Sequence, residues 1–192
     1  MKDIKNAEVD DPFKGGATFS LQHRLIRMAW GLAWCLLASW TPPQANGVRV
    51  WLLRLFGAKI HPTARVYGSA KIWYPANLEM DAYASLGPGV ICYSMDRVVI
   101  GHHVVVSQRA HLCTGTHDIK HPSFQLFTKP IVIEDNAWVC AEAFVGPGVR
   151  VGEGAVLAAR AAAFQELAPW TVYRGNPAEP IKARPRFERE VA

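Results

Sequence analysis

Residues Ile100–Asp118, IGHHVVVSQRAHLCTGTHD, decide the fold. Counted in sixes from Ile100, the stretch returns an aliphatic residue at Val106 and Leu112, and it then runs straight into His117. Outward from it the same count holds at Ile60, Val66, Ile72, Leu78, Ala84 and Val90, and again at Ile133, Val139, Val145, Val151, Leu157 and Ala163. Four extra residues interrupt the count before Ile100, and fifteen interrupt it after the Leu112 unit. A second phase, four residues on, carries Ala64, Ala70, Ala76, Ala82, Ala110, Ala137, Ala143, Ala155 and Ala161. A helix with a period of about 3.6 does not keep a strict count of six, and an alternating sheet needs no small residue at a fixed phase. A triangular solenoid needs both: one short strand per side, a branched aliphatic residue inside, and a small residue where the chain turns. Gly87-Pro88-Gly89 and Gly146-Pro147-Gly148 fall at such turns. Fifteen units at three per coil predict five coils, and stacking at about 4.8 Å gives a prism on the order of 24 Å tall. Each coil buries its apolar side only against its neighbours, so both ends need covers.

The rest of the chain supplies them. The organisation read from the sequence is an N-terminal arm with helices over 1–58, the repeat over 59–170 with a loop at 118–131, and a tail over 171–192. Residues 1–20 hold Pro12, Gly15 and Gly16 without a period and read as an irregular arm. Leu21–Trp40 reads as a helix stopped by Pro42-Pro43, and Val48–Phe56 as a second helix ended by Gly57. The uninterrupted apolar run Met28–Trp40 has 13 residues, short of the roughly 20 that span a bilayer. With Trp30, Trp34 and Trp40, this segment suits either packing against the protein or a neighbouring subunit, or peripheral contact with a membrane interface.

Half of the 192 residues are apolar and 19% are charged, enough for a substantial core. A net charge of +5 fits an ordinary surface, or a basic patch for a phosphorylated cofactor or anionic lipid headgroups. Basic runs interleaved with aromatics are missing, which argues against nucleic acid. Cys35, Cys92, Cys113 and Cys140 lack metal-ligand spacing and read as small buried residues of a reduced, cytoplasmic protein. The opening MKDIKNAEVDDP is polar and acidic, unlike a signal peptide.

On four motifs the sequence resembles a known family: LLRLFGAKI at 52–60, LCTGTHD at 112–118, AFVGPGVRVGEGAV at 143–156 and VYRGNPAEPIKAR at 172–184. Over about residues 58–184 it is similar to the hexapeptide-repeat acyltransferases, and within them to the colanic-acid-type sugar O-acetyltransferases. The resemblance implies an all-β, left-handed parallel β-helix working as a homotrimer, with acetyl-CoA as co-substrate and sites between subunits. The left hand comes from the resemblance alone, since parallel crossovers are otherwise nearly always right-handed. It also implies transfer of acetyl to a sugar hydroxyl in surface-polysaccharide biosynthesis, on a free or lipid-linked acceptor. TGTHD matches the motif of the family's catalytic base, which makes His117 the candidate. Imidazole, with an ordinary pKa of about 6.5, can take a proton from an alcohol and is still mostly neutral at pH 7.

Asp118 and Glu142 are the carboxylates expected to orient that imidazole. Ser85 stands where some family members carry an acceptor-binding Asn, a departure that weakens the transfer of that role. For CoA the resemblance implies Trp138 at the groove, Ala141 and Ala159 as corners open to the pantetheine arm, and Lys182 with Arg184 near the phosphates. The family often has Thr-Lys in the last coil where this chain has Phe164-Gln165, which leaves Lys182, Arg160 or Arg184 to provide the charge. Among the other histidines, His111 is a wall residue, His121 lies in the loop, His102 and His103 read as solvated, and His23 and His61 as structural.

Two other functions fit the architecture. One is a trimeric β-helix metalloenzyme of carbonic-anhydrase type, for which His111, His117 and His121 are the candidate ligands, at spacings that do not match. The other is a non-catalytic β-helix scaffold. Neither explains TGTHD, and the acyltransferase reading binds no metal.

Overall fold

The computed structural model describes residues 4–10 and 12–187; residues 1–3, 11 and 188–192 of the expected arm and tail lie outside them. From Lys59 the chain winds into a left-handed parallel β-helix of triangular section. The first face stacks Lys59–Ile60, Leu78–Met80, Val98–Ile100, Ile131–Ile133 and Arg150–Val151. The second stacks Arg65–Val66, Ser85–Leu86, Val105–Val106, Trp138–Val139, Val156–Leu157 and Thr171–Arg174. The third stacks Lys71–Ile72, Ile91–Tyr93, His111–Cys113, Phe144–Val145 and Ala162–Ala163.

The pairing corrects the register expected for the second coil. Ile60 faces Met80, which faces Ile100; Val66 faces Leu86, and Ile72 faces Cys92. The six-residue aliphatic phase of that coil is therefore held by Met80, Leu86 and Cys92, while Leu78, Ala84 and Val90 are buried two residues ahead of them. The cause is a 3₁₀ turn at Pro75–Asn77, which inserts two residues ahead of Met80. Two more enter between Cys92 and Ile100, so the four extra residues are two insertions of two. Ala84 and Val90 instead hold the buried corner phase, beside Ala64 and Ala70. Ala76 is exposed on the 3₁₀ turn, and Ala82 sits two residues ahead of the corner at Ala84. The ladder also runs past residue 170. Leu167 bridges to Val151 and Tyr173 pairs with Leu157, adding part of a sixth coil to the five expected.

Both ends are covered. At the N-terminal end α1 spans Leu21–Leu37, three residues short of the expected Trp40, and α2 spans Asn46–Leu55. Ser20 caps α1 by accepting the His23 N–H. α1 turns Trp30 and Trp34 inward, and their indole N–H groups donate to the carbonyls of Ile72 (2.7 Å) and Gly68 (3.1 Å). α2 lays Val50, Leu52 and Leu53 over the open first coil. Its Arg49 is buried without a carboxylate. The guanidinium instead donates to the carbonyls of Val66, Pro42 and Pro43 and to the Thr41 hydroxyl, which satisfies the desolvated charge. At the other end Glu179–Ala183 folds back antiparallel on Thr171–Arg174. Of the four cysteines, Cys92 and Cys140 are buried as expected and Cys113 is half-buried. Cys35 is exposed on α1, against expectation, where the helix borders an open groove along the third face.

Candidate active site

Between the third strand of the third face and the fourth strand of the first, the chain leaves the prism. The stretch expected as a loop is largely a β-hairpin: Gly115–His117 pairs antiparallel with Leu126–Thr128. Its root is held by a partly buried network. The Thr114 hydroxyl donates to the Tyr93 carbonyl (2.8 Å) and accepts the Asp96 N–H (2.9 Å), while the Thr128 hydroxyl donates to the Asp96 carboxylate (2.8 Å). A side chain at Gly115 would come within 2.5 Å of Met95 Sδ, so any larger residue there would have to displace the buried Met95 side chain.

His117 ends the outgoing strand, exposed. Its ring stacks on Phe124, with centroids 4.4 Å apart and planes 14° apart, and Nδ1 lies 2.7 Å from the Phe124 carbonyl oxygen. A carbonyl can only accept, so Nδ1 carries the hydrogen and neutral His117 presents an unprotonated Nε2. The group that orients the imidazole is thus a backbone carbonyl, not either carboxylate expected for the task. Asp118 accepts the Lys120 N–H and shapes the hairpin turn. Glu142 lies between Arg160 and Arg109; the hydrogen bond from Arg160 is the main cause holding its carboxyl below the ordinary range.

The N-terminal arm packs on this hairpin, which no local sequence signal announces. The Gln125 side chain accepts the Ala7 N–H (2.7 Å) and donates to the Lys5 carbonyl (3.3 Å), and His121 Nε2 lies 3.3 Å from the Glu8 carboxylate. Phe19 packs with Met95 and Leu126 beneath the hairpin. A small recess beside His117 is consequently lined by Lys5, Asp10 and Thr18 together with Phe124 and Gln125.

The residues expected to hold CoA gather along a different edge. Ala141 and Ala159 occupy the corners between second and third faces in successive coils, linked by the Arg160 N–H to the Ala141 carbonyl. Trp138 is half-exposed on the second face and donates its indole N–H to Ser107 (2.9 Å). Ser85 lies on the second face, away from the corner that His117 leaves. Lys182 is exposed on the C-terminal strand. Arg184 departs from expectation. Its guanidinium donates to the carbonyls of Asn136 and Gly154, both at 2.9 Å, and it packs over Phe187, which commits it to locking the tail. His111 is half-buried, edge-on to Phe144, and burial pushes its pKa down. Among the described residues no three His, Cys, Asp or Glu side chains gather as metal ligands, and His111, His117 and His121 do not converge within the chain.

The geometry thus contains a bare imidazole nitrogen at one edge and a ladder of small corner residues at another. An Escherichia coli K12 protein named for colanic acid biosynthesis, the acetyltransferase WcaF, is 37% identical over 188 residues, covering 98% of this chain and 100% of that protein. This chain belongs to the hexapeptide-repeat acetyltransferases. The fold of the acetyltransferase is shared by a maltose O-acetyltransferase from Clostridium difficile 630, at a TM-score of 0.75 and 21% identity, covering 87% of this chain and 90% of the other. A hexapeptide-repeat acetyltransferase from Vibrio cholerae, solved with acetyl coenzyme A, superposes with a TM-score of 0.75 at 22% identity over 87% and 91% of the two chains. No family-level sequence profile matches the acetyltransferase. No described helix is long and apolar enough to cross a membrane.

Proposed function

We propose that this acetyltransferase moves the acetyl group of acetyl-CoA to a hydroxyl of a sugar used in surface-polysaccharide synthesis, with His117 as general base. The observation that carries the reading is the hydrogen bond from His117 Nδ1 to the Phe124 carbonyl, which leaves Nε2 free to accept a proton. In a ternary complex Nε2 takes the hydroxyl proton while the sugar oxygen attacks the thioester carbonyl. The tetrahedral intermediate collapses with cleavage of the carbon–sulfur bond, and the proton on Nε2 passes to the departing thiolate. Donors aimed at the developing oxyanion lower the barrier further, by about 10²–10³ in rate each where this has been measured.

CoA is assigned to the corner of Ala141 and Ala159, with Trp138 on the groove wall and Lys182 within reach of its phosphates. Arg184 is set apart from that role because its Nη1 holds two backbone carbonyls and its guanidinium packs over Phe187. The base and this corner lie on different edges of one prism, so the working site is read as formed between two subunits of a trimer. The apolar segment 21–40 favours a lipid-linked acceptor met at a membrane surface.

The test is transfer to a panel of sugar acceptors, followed by mass spectrometry, for the native chain and His117→Ala. The variant is expected to keep its fold and its CoA affinity and to lose about 10²–10⁴ in kcat. Near-native turnover by it would overturn the mechanism.

A further inference from the structure

The helical cover has an outer side that none of the described residues occupies. Along α1, Leu21, Leu25, Met28, Leu32 and Leu36 are 67, 50, 60, 58 and 66% exposed, and Trp40 beyond the helix end is 72% exposed. Steps of three and four place the helical members on one stripe, opposite the inward Trp30 and Trp34. α2 adds Trp51 and Leu55, at 59 and 64%. Apolar patches on this scale mark a contact surface rather than ordinary scatter.

Charge identifies the partner. From Pro12 to Leu78 the sequence contains no Asp or Glu, yet it carries Lys14, Arg24, Arg27, Arg49, Arg54, Lys59, Arg65 and Lys71. Removing those eight from the 21 Lys and Arg of the chain leaves 13 against 16 Asp and Glu, so the entire positive surplus resides in the segment bearing the apolar stripe. Arg49 is consumed inside the cover; Arg24 is exposed on α1, and Arg54 is exposed on α2 while its guanidinium donates to the Ile60 carbonyl. A bare apolar stripe flanked by cations and cleared of anions complements a bilayer with anionic headgroups. A second protein copy would need no such depletion of acids.

We infer that α1 and α2 dock the acetyltransferase in the plane of an anionic phospholipid bilayer. This rests on the proposed reading of residues 21–40 and extends it to both helices and to a defined lipid charge. The docked helix is continuous with the site. Phe19, which packs under the His117 hairpin, is two residues from the start of α1. Docking therefore holds the base close to the surface that presents a lipid-linked sugar.

The experiment is co-sedimentation of the full chain with vesicles of phosphatidylcholine alone or mixed with phosphatidylglycerol, across a salt series. Binding is expected to be at least roughly tenfold tighter on the anionic vesicles and to weaken with salt. Leu25→Glu/Leu32→Glu/Leu36→Glu is expected to abolish it, with an unchanged circular dichroism spectrum and undiminished turnover of a soluble acceptor. Equal affinity for both vesicle types, or no binding to either, overturns the inference. So does a change of oligomeric state in the triple variant, which would show that a second copy covers the stripe. His117→Ala should bind vesicles like the native chain, so a failure of the catalytic reading and a failure of docking register in different measurements.

Discussion

Glu142 stands at a coil corner in the left-handed region, with φ at 59°, and directs its two carboxylate oxygens to Arg109 and Arg160. Orienting the imidazole would require it to abandon both. The imidazole already has a partner in the Phe124 carbonyl, a group that neither titrates nor swings. Glu142→Gln is therefore expected to change kcat/KM by less than about threefold, as suits the loss of an exposed ion pair, in the same assay that detects the His117→Ala defect. Its effect on stability is expected to depend on pH in a defined sense. The folded carboxyl sits below its ordinary 4.5 because the protonated form would lose the arginines, so the stabilisation is fully present above that value. It fades as pH falls through the depressed folded value. Melting curves of the native chain and of Glu142→Gln should differ slightly at neutral pH and converge in strong acid; a gap that widened on acidification would contradict the pairing.

The hairpin that carries His117 is only as steady as its root, where Asp96 joins Thr114 at the start of one strand to Thr128 at the end of the other. Asp96→Ala removes the acceptor of the Thr128 hydroxyl while leaving the prism core untouched. Because displacement by about 1 Å at a reacting centre can cost about 10² in rate, we expect kcat to fall at least roughly tenfold with CoA affinity unchanged. An equal loss in CoA binding would instead indicate general unfolding. None of this root was legible in the sequence, since Asp96 and Thr128 are 32 positions apart and each is an ordinary turn residue in isolation. The docking of the arm on the hairpin was invisible for the same reason, as its bond from Ala7 to Gln125 spans 118 positions. The coils themselves were legible because burial repeats with the chain. The register slipped where Pro75 inserts a 3₁₀ turn and Cys92, at the aliphatic phase, looks less aliphatic than the corner residue Val90 two places earlier; the sixth coil was missed because Leu167 follows Ala163 by four residues, not six. The sequence singled out His117 as a candidate through the TGTHD motif. The group holding its ring was not legible, because a backbone carbonyl has no signature in sequence.

Across the whole prism the three faces differ in what they can touch. The first face carries ion pairs outward, with Glu79 between Lys59 and Arg97, and Glu134 on Arg150, and burying it in an interface would desolvate them all. The third face turns out Ile91, His111 and Phe144, flanked by the exposed Phe164, while Ala162 is buried beneath the segment at Gly175 and Ala178. That face separates the corner of Ala141 and Ala159 from the corner that His117 leaves, so within one chain the proposed acetyl donor and the base sit at opposite sides of it. A closed ring of subunits resolves this if the donor groove of one copy meets the His117 of the next. The arrangement makes a quantitative prediction for mixed assemblies. His117→Ala loses the base but keeps the groove, and Ala159→Trp fills the groove but keeps the base, so each alone should be inactive. When the two are co-expressed in equal amounts, a site is intact only where a groove-bearing copy adjoins a base-bearing one, and activity should return to about a quarter of native. A site built within one chain would give no recovery at all, because every copy in the mixture would then be defective in one half.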